Sequence, residues 1–174
     1  MPILLHCCCA PCSTSVIERL NKSYKVILFF FNPNIHPDEE YFIREKEIKK
    51  YAKTIGLDYY VGNYDTDLWH RLIQKKAKHN KLRCPICIHI RLLETAKTAK
   101  KLGLNKFTST LTVSPHKDAL MINRLGKNVD ERTGISYLTA NFKKNDGFKR
   151  SVELSKKLDM YRQNYCGCKF SKKV

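Results

Sequence analysis

Half of the eight cysteines in this 174-residue chain lie close together near its start. They are Cys7, Cys8, Cys9 and Cys12, and they follow the apolar residues 3–5. Thiolates act as nucleophiles and bind metal ions and iron–sulfur clusters. Buried packing is the alternative, since free cysteine is among the most buried residue types. Scattered core cysteines would not concentrate in one turn, so this clustering favours chemistry.

A second pair of cysteines has the spacing C-x-x-C. Cys84 and Cys87 are three apart where a helix is expected to start, which places both sulfurs on one face. Alone, this motif is ambiguous between zinc, a cluster and a dithiol. Together with Cys8 and Cys9 it would supply the four thiolates of a [4Fe-4S] cluster, provided that the first turn is irregular.

A structural zinc site needs the same number of ligands and stays an alternative. Zinc would leave four cysteines without a role, which are Cys7, Cys12, Cys166 and Cys168. The sequence Cys166-Gly167-Cys168 is too tight to resemble half of a zinc ribbon. The surplus of thiols favours redox chemistry.

The segments that must position these cysteines alternate between strand and helix. Strand patterns cover residues 3–5, 24–31, 57–61, 107–113 and 135–138, and helical patterns cover residues 11–21, 38–56, 69–78, 83–103, 121–129 and 151–158. This alternation predicts one α/β domain over residues 1–174, with three layers and a mostly parallel sheet. The first cysteines then lie at the carboxyl end of a strand, where ligands bind, and a helix N-terminus favours thiolates.

The chain is strongly basic. It carries 33 Lys and Arg against 16 Asp and Glu, a formal net charge of +17. The basic residues form clusters, which are Lys75, Lys76, Lys78, Lys81 and Arg83, then Lys97, Lys100 and Lys101, then Lys143, Lys144, Lys149 and Arg150. Clustering favours a polyanionic partner such as nucleic acid, and a merely solvated lysine-rich surface is the alternative.

The apolar runs are short. The longest, residues 26–31, is far below a membrane span, and residues 1–10 lack the pattern of a signal peptide. We therefore expect a cytoplasmic protein that does not contact membranes. Cysteine clusters in that compartment usually serve metal binding or catalysis.

At this point the motifs resemble a known family, the cobalamin-independent epoxyqueuosine reductases of the QueH type. The hallmark His-x-Cys-Cys-Ala-Pro-Cys is present as residues 6–12, and further motifs follow in order at residues 32–37, 83–87, 142–144, 150–156, 161–163 and 165–168. The similarity covers the whole length. Residues 76–82 differ from the family, which is expected to have an acidic, glycine-rich segment before the C-x-x-C. Cys7 occupies the variable position of the hallmark, which indicates that it is not a ligand.

The resemblance implies reduction of an epoxide on a modified guanosine at the wobble position of tRNA, the last step of queuosine synthesis. It also implies a Rossmann-like sheet similar to that of PP-loop and HUP-type nucleotide enzymes. The Ser-Gly-Gly-x-Asp-Ser phosphate loop of PP-loop enzymes is absent, so we expect neither ATP nor cobalamin as a cofactor. The basic segment of about residues 140–174 is expected to pack back near the active site.

The resemblance also implies roles for individual cysteines. We expect Cys8, Cys9, Cys84 and Cys87 to hold the [4Fe-4S] cluster. Cys12 is expected to be a catalytic thiolate or the ligand of an additional mononuclear iron, with packing as the alternative.

The C-terminal pair has its own expected role. We interpret Cys166 and Cys168 as a redox-active pair that is reduced by a donor protein or another reductant. In the alternative, one of the two is a further metal ligand. A disulfide across one residue closes a small strained ring, and Gly167 supplies the backbone freedom that closure requires.

Other groups have weaker assignments. His6 and His36 could donate protons, although a lone histidine is more often a structural hydrogen-bonding group. Tyr41, Trp69 or Tyr161 could stack on unpaired anticodon bases, although most such rings belong to the core. Two other functions remain open: a zinc-stabilised tRNA-binding module and a PP-loop-like tRNA thiolation enzyme.

Overall fold

The computed structural model describes residues 1–76 and 78–172. The strands are β1 (Pro2–His6), β2 (Lys25–Phe30), β3 (Tyr59–Val61), β4 (Lys106–Ser109) and β5 (Ser136–Tyr137). The α-helices are α1 (Ala10–Leu20), α2 (Asp38–Thr54), α3 (Thr66–Ile73), α4 (Asn80–Lys101), α5 (Ala119–Thr133) and α6 (Gly147–Lys157). Short 3-10 helices cover Gln74–Lys76 and Thr110–Val113.

Across the described ranges, the sheet has five strands in the order β3-β2-β1-β4-β5, and every pairing is parallel. The α/β prediction is therefore confirmed. The central strand β1 pairs with β2 on one side and β4 on the other, so that His6 lies between Phe29 and Ser109. The strand order reverses between β1 and β4, and α/β sheets commonly bind ligands beyond the carboxyl ends of the strands at such a position. The first cysteine turn follows β1 directly.

Helices cover both faces of the sheet, as a three-layer domain requires. Ile3 and Leu5 of β1 pack in one cluster with Ile17 of α1 and Ile48 of α2. Leu4 points to the other face, where the second cluster contains buried residues of α4 and α5. Successive strand residues alternate between faces, so β1 is apolar on both sides. Helix α6 packs against α1.

The end of β4 differs from the prediction. The β-branched residues 107–113 predicted a strand to Val113, but β4 ends at Ser109 and a 3-10 helix follows. The Ser109 hydroxyl accepts the backbone N–H of Leu111 at 3.2 Å, and such a local bond competes with the strand ladder. This turn brings Thr110 to the first cysteine turn.

Several helix boundaries also differ. Helix α4 begins at Asn80 and contains Pro85, so the C-x-x-C lies after the first turn of the helix and not at its start. Proline usually occupies the first turn, which explains the late predicted start. Helix α3 begins after the capping Asp65, and Ala77 of the predicted helix 69–78 lies outside the described residues.

None of the helices in the described part of the chain combines the length and apolarity that a membrane crossing requires.

Candidate active site

Three cysteines of the first turn converge. The sulfur atoms of Cys8, Cys9 and Cys12 lie within 4.8 Å of one another. Cys9 is the N-cap of α1, where its sulfur accepts the backbone N–H of Cys12 at 3.4 Å. A thiol in this position replaces the usual capping oxygen and lies at the positive end of the helix dipole. We call these residues the three-thiol group.

The surroundings of the three-thiol group favour a thiolate. The Thr110 hydroxyl lies 3.5 Å from the Cys8 sulfur, and the Cys8 backbone N–H donates to Thr110 at 3.3 Å. Hydrogen bonds from Cys12 and Cys9 lower the pKa of Cys8, and the hydrogen bonds of Cys12 with Cys8 and Cys9 raise the pKa of Cys12. Negative charge therefore settles on Cys8 while its neighbours donate to it. Deprotonated sulfur is the form that metals bind.

Two neighbouring side chains in the hallmark motif are structural. Cys7 is fully buried, its thiol donates to Leu5 at 3.4 Å, and burial raises its pKa to about 12. His6 is also fully buried, and its ring nitrogens lie 3.0 Å from the Ser109 hydroxyl and from the Phe31 carbonyl. Burial lowers the pKa of His6 to about 4, so the ring is neutral. A neutral, enclosed imidazole with both ring nitrogens occupied is typical of a structural hydrogen-bonding group.

The other four cysteines line a second feature, a cavity of about 90 Å³ between α4 and the C-terminal segment. Its lining includes Cys84, Cys87, Cys166, Cys168, Arg83, Arg91 and Lys117. We call it the cysteine cavity. Its charged lining residues are all cationic, so the cavity favours negative charge.

Within the cysteine cavity, the C-terminal pair is polarised. The hydrogen bond from the Cys168 thiol lowers the pKa of Cys166 to about 4, and the charge of Lys117 acts in the same direction. The same bond raises the pKa of Cys168. The Ser171 hydroxyl lies 2.9 Å from the Cys166 sulfur. A thiolate beside a thiol is the arrangement that dithiol redox chemistry uses.

A buried arginine holds this pair in place. The side chain of Arg44 on α2 is 2% exposed, and its Nε donates to Glu40 at 2.6 Å. Its terminal nitrogens donate to the carbonyls of Tyr165 and Cys166 at 3.1 and 3.3 Å. The guanidinium also lies 5.3 Å from the centre of the Tyr165 ring. One charged side chain thus fixes the backbone that carries the pair.

The glycine between the two cysteines is required by this backbone path. Gly167 has a φ of +102°, a region that other residues rarely adopt. A Cβ there would lie 2.7 Å from Ile35. The Gly167 carbonyl accepts the backbone N–H of His36 at 2.7 Å. The predicted role of Gly167 in closing a Cys166–Cys168 disulfide stays a prediction, because both cysteines are free in this structure.

The two features are neighbours. Ile88 of α4 packs in the same apolar cluster as Cys8 and also lines the cysteine cavity. Gln163, on the C-terminal segment, donates from its Nε2 to the Cys9 sulfur at 2.9 Å. Within the described residues, Cys84 and Cys87 are not part of the three-thiol group. The predicted ligand set of Cys8, Cys9, Cys84 and Cys87 thus draws on both features and stays a prediction.

Sequence reasoning assigned no role to Arg44, Thr110, Lys117 or Gln163. A Glu at position 40 followed by an Arg at position 44 is a recognisable helical ion pair, but its burial is not visible in sequence.

The aromatic residues that were predicted to stack on bases differ in their exposure. Tyr41 and Trp69 are core residues with 2% and 1% exposure, whereas Tyr161 is exposed and its hydroxyl donates to Glu40 at 2.7 Å. A further predicted proton donor, His36, packs against the ring of His70.

Comparison with known proteins agrees with the cysteine pattern. A family model described as "Epoxyqueuosine reductase QueH" matches residues 3–174. The chain belongs to this family. A QueH protein of Thermotoga maritima is 37% identical over 174 residues, which cover 97% of this chain and 89% of the relative. One of Streptococcus pyogenes is 36% identical over 180 residues, covering 99% of this chain and 71% of the relative. One of Staphylococcus epidermidis is 37% identical.

The thiols of this QueH-family chain suit a metal cofactor. The three-thiol group offers sulfur donors that are close together and mostly shielded from water. Thiolates select zinc and iron–sulfur clusters over hard cations such as Mg²⁺. The donor set therefore fits an iron–sulfur centre, and it fits zinc as well.

Proposed function

We propose that this protein reduces epoxyqueuosine in tRNA to queuosine, as the names of its QueH relatives indicate for them. The observation that carries the proposal is the polarised Cys166–Cys168 pair in a cationic cavity beside the three-thiol group. A dithiol next to a potential metal centre is suited to two-electron reduction.

The cofactor in this proposal is a [4Fe-4S] cluster held by Cys8, Cys9, Cys84 and Cys87. Cys12 would be a thiolate at the substrate or the ligand of an additional iron. The close approach of Cys8 and Cys9, and the position of Cys84 and Cys87 in the adjoining cavity, support this assignment. Such a cluster, when bound, would supply electrons at low potential, and the additional iron would supply a Lewis-acid position.

The proposed reaction balances with the C-terminal dithiol as the source of the two electrons in each turnover. Two carbon–oxygen bonds of the epoxide break and a carbon–carbon double bond forms. The oxygen leaves as water with two protons. The Cys166 thiolate and the Cys168 thiol give up two electrons and one proton and form a disulfide, and solvent supplies the second proton. A disulfide across one glycine is strained and easily reduced, so an external donor protein or reductant can restore the dithiol.

Lys117 would assist the departing oxygen. It lies in the lining of the cysteine cavity, and its charge lowers the pKa of both Cys84 and Cys166, although burial dominates at Cys84 and raises its pKa overall. A fixed cation beside a developing alkoxide stabilises the transition state. The backbone of Lys117 is itself held, because the Lys143 ammonium donates to its carbonyl at 2.6 Å.

The macromolecular substrate would be tRNA, bound through the anticodon loop. The formal net charge of +17 supplies phosphate attraction that does not depend on sequence. Tyr161, which is exposed, is the remaining candidate for stacking among the three rings considered. A cytoplasmic location, where thiols stay reduced, belongs to this proposal.

Separate Cys166→Ser and Cys168→Ser variants test the proposal. Both should keep the iron, the sulfide and the broad absorption at about 400 nm, and both should lose turnover. Cys7→Ala is the matched control, because that thiol is buried away from the cavity, and it should keep both properties. If either serine variant loses iron in proportion to activity, the pair is a ligand set and the redox assignment is wrong.

Zinc is the alternative to the iron–sulfur cluster, because the three-thiol group also suits zinc. In that case the protein would be a zinc-stabilised tRNA-binding module. Colourless protein with one zinc and no sulfide, which binds tRNA but shows no turnover under a strong reductant, would support that function instead.

A further inference from the structure

One side chain joins the C-terminal segment to the three-thiol group. Gln163 lies three residues before Cys166, and its Nε2 is 2.9 Å from the sulfur of Cys9. Cys9 is 1% exposed, so water cannot replace this donor. Its other polar contacts include the backbone N–H of Cys12 at 3.4 Å and the Cys8 sulfur at 3.9 Å.

The chemistry of sulfur fixes which end of the amide faces Cys9. When Cys9 ligates a metal, its sulfur is a thiolate and only accepts hydrogen bonds, so the amide must present its NH₂ group and turn its oxygen away. The Gln163 oxygen is buried and has no hydrogen-bond partner among the described residues. A buried amide that leaves its oxygen unpaired to keep one N–H on a sulfur needs a reason beyond packing.

The surrounding backbone holds Gln163 from both sides. Before it, Arg162 donates to the Ser155 hydroxyl at 2.6 Å. After it, Arg44 donates to the carbonyls of Tyr165 and Cys166. The side chain is therefore held at Cys9 by the segment that also carries the redox pair.

We propose that Gln163 is a positioning residue that tunes the reduction potential of the metal centre through its N–H···S bond to Cys9. Hydrogen bonds to cluster sulfurs are among the factors that set iron–sulfur potentials. A donor stabilises the reduced centre most, because that state places more negative charge on sulfur. Gln163 accordingly makes the centre easier to reduce. The inference rests on the proposed function in one respect, that Cys9 ligates an iron–sulfur centre.

The test compares midpoint potentials in redox titrations monitored by electron paramagnetic resonance. Gln163→Leu removes the donor and should shift the potential to a more negative value. Gln163→Glu keeps the shape, replaces the donor with a negative acceptor and should shift it further. Gln163→His keeps a ring N–H and should recover part of the shift. Asn164→Leu makes the same chemical change at the adjacent exposed residue and should keep the wild-type potential.

The outcomes separate this inference from the proposed function. Wild-type protein without iron and sulfide would overturn the proposed cofactor and, with it, this inference. An unchanged potential in fully loaded Gln163→Leu protein would overturn the inference alone. Loss of iron from the Leu and Glu variants, with the unfolding midpoint of the apoprotein unchanged, supports positioning of the Cys9 ligand. A lowered unfolding midpoint with a wild-type potential assigns Gln163 to stability only and contradicts the proposal.

Discussion

Replacing Arg44 by methionine should be among the most costly single substitutions in this protein. The side chains of Arg44 and Glu40 are 2% and 10% exposed, so water screens their 2.6 Å ion pair only weakly. Methionine fills a similar volume but leaves the Glu40 carboxylate buried and without its counter-charge. Breaking a buried pair in this way costs about 3 to 5 kcal/mol. The carbonyls of Tyr165 and Cys166 lose their charged donor as well.

The same helix offers a matched control. Lys49 and Glu45 form another ion pair at the same i,i+4 spacing, but the Lys49 side chain is 39% exposed. Lys49→Met should lower the free energy of unfolding by only about 0.3 to 0.5 kcal/mol. Replacing both buried partners, as Arg44→Met with Glu40→Leu, should recover part of the loss, because no unpaired charge remains.

Urea-induced unfolding of the apoprotein under reducing conditions measures these differences. Turnover of the reconstituted enzyme gives a second readout, since the backbone of the redox pair loses its anchor in Arg44→Met. The reasoning is refuted if Arg44→Met costs less than about 1 kcal/mol, or no more than Lys49→Met, since a buried pair must exceed an exposed one.

The remaining predictions concern the reactive groups and the tRNA. Cys12→Ala should keep the cluster absorption and lose turnover, whereas full turnover would assign Cys12 to packing. Lys117→Met should lower turnover by about 10²-fold, the usual loss for one oxyanion-stabilising donor. Lys25→Met, at the exposed opposite end of the sheet, controls for net charge and should change turnover little. Binding of anticodon stem-loops should weaken steeply as salt rises, and equal affinity at low and high salt would contradict the electrostatic contribution.

The fold could be predicted because its signals are local. Apolar strand runs and the apolar stripe of α1 each need only a few neighbouring residues to be recognised. The predicted element boundaries that were wrong depend on contacts that cannot be read from the sequence. The run 107–113 predicts a longer strand, but the Ser109 hydroxyl binds the N–H of Leu111 and starts a 3-10 turn. Pro85 predicts a helix start, whereas α4 tolerates it internally. That residues 1–174 form one domain stays a prediction.

The candidate site was predictable in its residue types and less so in its grouping. Cysteines are rare enough for clusters to stand out, which is why all the cysteines of both features were identified. Sequence spacing alone cannot show that the sulfur of Cys12 lies beside the sulfurs of Cys8 and Cys9. Nor can it reveal Gln163 or Arg44, since each acts across more than 120 positions of sequence. The reactivity of Cys166 depends on the thiol of Cys168 and the charge of Lys117, which only folding brings together.

A single-turnover reaction tests the central claim most directly. Reconstituted protein with its Cys166–Cys168 pair reduced would be mixed, without added reductant, with an equal amount of tRNA carrying epoxyqueuosine. Mass spectrometry would then follow the nucleoside and the two cysteines together. We expect loss of one oxygen from the nucleoside and formation of one Cys166–Cys168 disulfide in equal amounts. Conversion that leaves both thiols reduced, or no conversion by fully loaded protein, would contradict the account.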